Sequence, residues 1–161
     1  MEEINKRCIS RKEYLKKYDS NVGYALYVQD NIRKDDYVRL NTGNIVKVIG
    51  IKANTVNKRA IYYGFYKQDW FDSAAVENFS DNIIDLIEVG DIVNKELIIG
   101  IIDITNDKEE IIGRKLITQY RSAQFTGLDI KHYIYANDIK TILTKEQYLA
   151  NCYKVGGEDE C

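Results

Sequence analysis

Hydrophobic positions along this chain fall mostly in short alternating or continuous runs between polar turns, a strand-like spacing, with helical spacing confined to the two ends. In SRKEYLKKYD, Ser10 stands three residues before Glu13, the spacing at which a serine oxygen accepts an amide hydrogen bond and a glutamate reaches back. Tyr14, Leu15 and Tyr18 follow on one helical face, which predicts a short amphipathic helix over residues 11–18 with solvated Lys and Arg residues. Next, VGYALYVQ (Val22–Gln29) predicts a strand with Val22, Tyr24, Leu26 and Val28 on one side.

DDYVRLNTGNIVKVIGI, Asp35–Ile51, sets two apolar runs around the polar tetrad Asn41-Thr42-Gly43-Asn44. Gly43 takes positive φ freely and Asn44 tolerates it, so the stretch predicts strand, tight turn, strand. NKRAIYYGFYKQDW predicts one further strand carrying Tyr62, Tyr63, Phe65 and Tyr66, and Gly64 inside it predicts a bulge or a close approach by another backbone. Ser80 or Asp81 is placed to cap a single helical turn over Asn82–Leu86. DIVNKELIIGIIDI then repeats the logic of the first hairpin: Asp36-Tyr37-Val38 corresponds to Asp91-Ile92-Val93, and Ile45–Ile51 loosely to Ile98–Ile104.

EEIIGRKLITQYRSAQ predicts another strand or pair of strands near Gly113. In IKHYIYANDIKTILT, Ile130, His132 and Ile134 share one face, and Tyr133 and Tyr135 the other. Thr144 opens a capped short helix, and GGEDEC predicts an unfolded acidic tail, residues 156–161. The fold expected is mainly β, of the α+β kind: SH3-like or KOW-like hairpins forming a small barrel or a curved antiparallel sheet, with short helices near both termini. Residues 1–20 form a helical segment and 21–155 the β-rich domain, which two hairpins also allow to be two small barrels, 21–80 and 81–155.

Composition narrows function more than fold. A net charge of −2 over 161 residues gives no global positive field for nucleic acid, though it leaves room for a local patch. Thirteen tyrosines offer large contact area at low entropy cost, or fill half-buried strand positions. Three cysteines, Cys8, Cys152 and Cys161, fit neither a metal knuckle nor a redox pair, and point to reduced thiols in a cytoplasmic protein. The charged N-terminus has no secretion-signal core, and LIIGIIDI is too short to cross a bilayer.

His132 is the only histidine, so it alone carries any His-based catalysis or zinc ligation. Carboxylate pairs, Asp35-Asp36, Glu109-Glu110 and Asp81 with Asp85, fit ion binding or acid–base work, and equally turn capping. No HExxH, GxSxG, Walker A or CxxC pattern is present, and the expectation is a non-enzymatic protein with no cofactor and no metal. One motif mixes bases with aromatics: Arg59, Tyr62, Tyr63, Tyr66, Lys67 and Trp70. A second patch holds Arg114, Tyr120 and Arg121. Aromatics that stack bases beside cations that meet phosphates would bind a nucleotide or single-stranded nucleic acid.

Three segments, the Asp35–Ile51 hairpin, SDNIIDLIEVGDIVN and IKTILTKEQYLANCYKV, together resemble small uncharacterised proteins encoded by phages and mobile elements of Clostridium-like Firmicutes. The resemblance covers about a third of the chain and transfers no catalytic residue. It implies a phage-encoded binding protein of the host cytoplasm that blocks a bacterial defence component, as anti-CRISPR proteins occupy a nuclease effector. The alternative is sequestration of a nucleotide signal or single-stranded nucleic acid, and exposed sheet edges allow a homodimer.

Overall fold

A computed structural model describes residues 9–53, 61–65, 69–121, 129–150, 153–155 and 158–160. It divides into two compact units, Met1–Leu86 and Ile87–Cys161. The protein is mainly β with three short helices, and its four antiparallel sheets are open, with none closing on itself among the described residues. No helix among them is long and apolar enough to cross a membrane.

In the first unit, α1 (Arg11–Tyr18) begins where expected, with the Glu13 amide donating to Ser10 Oγ at 3.2 Å. The stretch expected as a strand at Val22–Gln29 is instead a second helix, α2 (Asn21–Asn31). Its apolar residues at 22, 24, 26 and 28 fit both a period of two and an i, i+4 spacing. Tyr24, Val28 and Ile32 are buried on one helical face, whereas Val22 and Leu26 are exposed. Ser20 decides the matter locally, its Oγ accepting the Gly23 amide at 2.9 Å as an N-cap. Arg11 ties the helices to the strands behind them: its guanidinium donates to the carbonyls of Val76 (3.1 Å) and Ala74 (2.7 Å) and to Asn21 Oδ1 (3.0 Å).

The first hairpin forms as read: β1 (Tyr37–Leu40) and β2 (Ile45–Lys47) pair antiparallel around a turn with Gly43 at φ 87°. β1 also pairs with a strand from later in the chain, β6 (Val76–Ser80), giving the sheet β2-β1-β6. The second run does not continue to Ile51 in the same sheet. After Lys47 the chain turns, Val48 is fully buried, and β3 (Gly50–Ala53) opens a new sheet with β4 (Ile61–Gly64) and β5 (Trp70–Asp72). The single strand expected across Tyr62–Trp70 is therefore two antiparallel strands. β6 (Val76–Ser80) returns to β1, and a 3-10 turn follows at Ile83–Leu86, with Ser80 Oγ accepting the Asn82 amide. Tyr24, Val28, Val38, Val48, Tyr63, Phe71, Val76 and Phe79 make the core of this unit.

The second unit is built on a five-stranded sheet. β7 (Ile92–Val93) turns at Asn94-Lys95 into β8 (Glu96–Thr105), followed by β9 (Ile111–Arg121), β10 (Asp129–Tyr135) and β11 (Ile142–Leu143), in the order β10-β9-β8-β7-β11. Thr144 and Gln147 cap α3 (Lys145–Ala150) reciprocally: the Gln147 amide donates to Thr144 Oγ1 and the Thr144 amide to Gln147 Oε1. The acidic stretch expected to stay unfolded supplies a strand, β13 (Glu158–Glu160), paired with β12 (Tyr153–Val155). Its sequence signal is the Gly156-Gly157 dipeptide between the two runs, a hairpin-turn pair, although those two residues lie outside the described set.

The β-structure of each unit opens on one device, an aspartate clip. The Arg33 amide donates to Asp36 Oδ2 (2.8 Å), and the Asp36 amide returns to the Arg33 carbonyl (3.2 Å). In the second unit the Glu88 amide donates to Asp91 Oδ2 (2.8 Å), and the Asp91 amide to the Glu88 carbonyl (3.1 Å). Each aspartate carbonyl then accepts one buried apolar residue's amide, Val48 or Ile98, whose own carbonyl accepts the amide before the aspartate, Asp35 or Gly90. The repeat is thus real at the level of hydrogen bonds, but its register pairs Val48 with Ile98, where the sequence alignment had set Ile45 against Ile98.

Candidate functional site

The residues singled out in the sequence separate into different environments. Tyr63 is fully buried, its ring centroid 5.1 Å from that of Phe71. A ring packed in this way has no face to offer a ligand. Burial drives its phenol pKa far up, with Asp30 and Asp72 adding in the same sense, and its hydroxyl has no hydrogen-bond partner among the described residues. Trp70, by contrast, is 45% exposed. Tyr62 sits in register between Lys52 and Asp72. Arg59, Tyr66 and Lys67 lie outside the described residues.

Tyr63 and Trp70 end up on opposite faces because the hairpin puts them in adjacent cross-strand rows. Ile51, Tyr63 and Phe71 are one row, and Gly50, Gly64 and Trp70 the next. A Cβ on Gly64 would meet the Trp70 indole at 3.2 Å, so the close approach expected at this glycine comes from a side chain and not from a backbone. Lys52 is exposed, two residues along β3 from Gly50 and so on the same face.

In the second unit Arg114 pairs with Asp103 directly across the sheet, Nε to Oδ1 at 3.0 Å. The Tyr120 and Arg121 backbones pair with Ile130 and Asp129 on β10. His132 places Nδ1 3.0 Å from Glu96 Oε2, on an open surface. The carboxylates do turn work as well: Asp85 accepts from Ser80 Oγ at 2.7 Å, and Glu110 belongs to the loop organised by Asn106. Among the described residues no three His, Cys, Asp or Glu side chains cluster as a metal would require.

A surface not singled out in the sequence emerges from the β8–β9–β10 sheet. A bulge between Ile98 and Gly100 shifts the alternation by one residue. The rows Ile98–Thr118 and Ile101–Leu116–Ile134 therefore both face inward, with Ile98, Thr118, Leu116 and Ile134 buried. The intervening rows, Gly100–Ile117–Tyr133 and Ile102–Lys115–Tyr135, face outward. Tyr135 is 46% exposed, Tyr133 40% and Ile102 37%, and Lys115 Nζ lies 4.5 Å from the centre of the Tyr133 ring. The signal was the shared face of Tyr133 and Tyr135; what it lacked was the bulge, which sequence spacing does not reveal. No family model, curated protein or solved structure matches the chain.

Proposed function

We propose that this chain is a non-enzymatic binding protein that inhibits a component of a bacterial defence system, in the manner of phage-encoded anti-CRISPR proteins, inside the host cytoplasm. The observation that carries this reading is the outward face of the second unit, where Tyr133, Tyr135 and Ile102 are exposed together around Lys115. Aromatic and aliphatic side chains held on a rigid sheet are the composition of a protein-interface core, and tyrosine supplies much contact area for few rotatable bonds. Acidic residues outnumber basic ones over Ile87–Cys161. That balance suits a basic partner surface such as the nucleic-acid groove of a nuclease effector. We assign the clipped hairpins to the SH3-like or KOW-like class, which opens on the same strand, tight turn and strand; a closed strand order in solution is what that assignment requires.

The test is co-elution on size exclusion after mixing the chain with purified Cas and other nuclease effectors. A complex is expected, and the double variant Tyr133→Ala/Tyr135→Ala weakens it by about tenfold or more, with far-UV circular dichroism unchanged. An undiminished complex in that variant moves the interface off this face. Absence of any complex, together with no protection of phage in a defended host, removes the reading.

A further inference from the structure

We propose that the row Gly50–Gly64–Trp70 in the first unit is a stacking subsite for an unpaired base of single-stranded nucleic acid, with Lys52 set to meet a backbone phosphate. The indole lies across both glycines: three ring atoms stand 3.2 to 3.4 Å from where a Gly64 Cβ would be, and Cη2 stands 3.8 Å from the corresponding point on Gly50. Two glycines in register leave a shallow bed that any side chain would fill, so one ring face rests on backbone. With 45% of the residue exposed, much of the indole is open to solvent. A flat, supported aromatic ring of this kind is what base stacking uses, and every base has a π-face to offer it.

Among the described residues one cation stands near the ring, among the carboxylates of Asp69 and Asp72. Lys52 lies one side-chain row away, about 7 Å along the strand for two residues of rise. That is the scale separating a base from its own phosphate. Asp72, in the Lys52 row, is engaged in capping: its Oδ1 accepts the Ala74 amide at 2.9 Å. Basic residues outnumber acidic ones over Met1–Leu86 by two, fourteen to twelve, the reverse of the other unit and a small excess of the sign that attracts phosphate. A duplex keeps its bases stacked on one another, so the ring selects single strands. This site and the Tyr133–Tyr135 face lie on different units and fail independently.

Trp70 is the only tryptophan, so its emission reports on the subsite directly. Titrating the full chain at low salt with an oligothymidylate or an oligouridylate is expected to quench that emission saturably. Trp70→Ala should lower the affinity for a fluorescently labelled oligomer by about ten- to a hundredfold. Lys52→Glu, an exposed change that leaves the core untouched, should weaken binding and flatten its salt dependence by about one phosphate contact or more. Emission unmoved by either oligomer overturns the proposal. So does an unchanged affinity and salt slope in Lys52→Glu, and so does a mononucleotide that quenches at the same concentration as the oligomer.

Discussion

The two aspartate clips differ in one respect, and the difference says which hairpin is the more tightly built. Asp36 gives Oδ2 to the Arg33 amide and serves its own turn. Asp91 gives Oδ2 to the Glu88 amide and Oδ1 to the Lys145 amide, so the same carboxylate also fixes the first residue of α3, fifty-four positions later. Lys145 closes the arrangement, its Nζ 3.3 Å from Glu88 Oε1. One sequence motif has thus become a local turn in the first unit and a long-range fastening in the second. The lesson is that a repeat conserves backbone hydrogen bonds and leaves the spare carboxylate oxygen free to take new work.

Replacing each aspartate with asparagine breaks this comparison most sharply. Asparagine keeps one acceptor oxygen and converts the other to a donor. At position 36 the oxygen still serves the Arg33 amide, and Asp36→Asn should change stability by less than about 1 kcal/mol at neutral pH. At position 91 one of two amides must lose its acceptor and face an NH2 group. Asp91→Asn should cost about 1–3 kcal/mol, and Asp91→Ala more, because both amides are then orphaned. Urea denaturation of the three variants checks the ordering, and equal costs for the two Asn variants would show that the Lys145 link contributes nothing.

The Asp36 clip has a second signature, in pH. Burial raises the Asp36 carboxyl above its ordinary value of 3.8, outweighing the Arg33 amide and charge that pull it down; Asp81 and Asp35 reinforce the rise. The folded state therefore holds this proton more tightly than the unfolded chain does. The stabilisation from protonation is full below 3.8 and is lost as pH rises through the raised folded value. Asp36→Asn abolishes that loss. Its stability relative to the parent should rise with pH through the window above 3.8 and then level off. A difference that falls across the same window would reverse the assignment.

Several elements were legible because a single local interaction fixes them. Ser10 with Glu13 and Thr144 with Gln147 name their helices through caps that need only residues three apart. Gly43 names the first hairpin. What sequence could not show is set by parity and tertiary burial. The even-numbered apolar residues of Val22–Val28 suit a strand and a helix alike, until Ile32 extends the buried face by a further turn. Whether Tyr63 or Trp70 faces solvent depends on where the chain folds back between them. The outward Tyr133–Tyr135 face depends on an extra residue at Ile99, which turns both Ile98 and Ile101 inward.

The smallest expected effect lies in the two turns. The first hairpin places its positive φ on Gly43, at 87°, whereas the second places it on Asn94 and Lys95, at 51° and 67°. Asn94 is held there by its side chain: its Oδ1 accepts the amides of Lys140 and Thr141, and its Nδ2 donates to the Asp138 carbonyl. For Lys95 no such side-chain bond among the described residues offsets the left-handed conformation, which costs a side chain about 1–2 kcal/mol that glycine escapes. Glycine also loses more backbone entropy on folding, about 0.5–1 kcal/mol relative to alanine in regular structure. The net gain expected for Lys95→Gly is therefore about 0.5 kcal/mol, read as a rise in the urea midpoint with unchanged slope. Gly43→Ala imposes the opposite change on the first turn and should lower the midpoint by a somewhat larger amount, since alanine takes on the strain and gains only part of the entropy. If both substitutions move stability in the same direction, backbone conformation is not what separates the two turns, and the length of the connection, four residues against two, has to carry the difference.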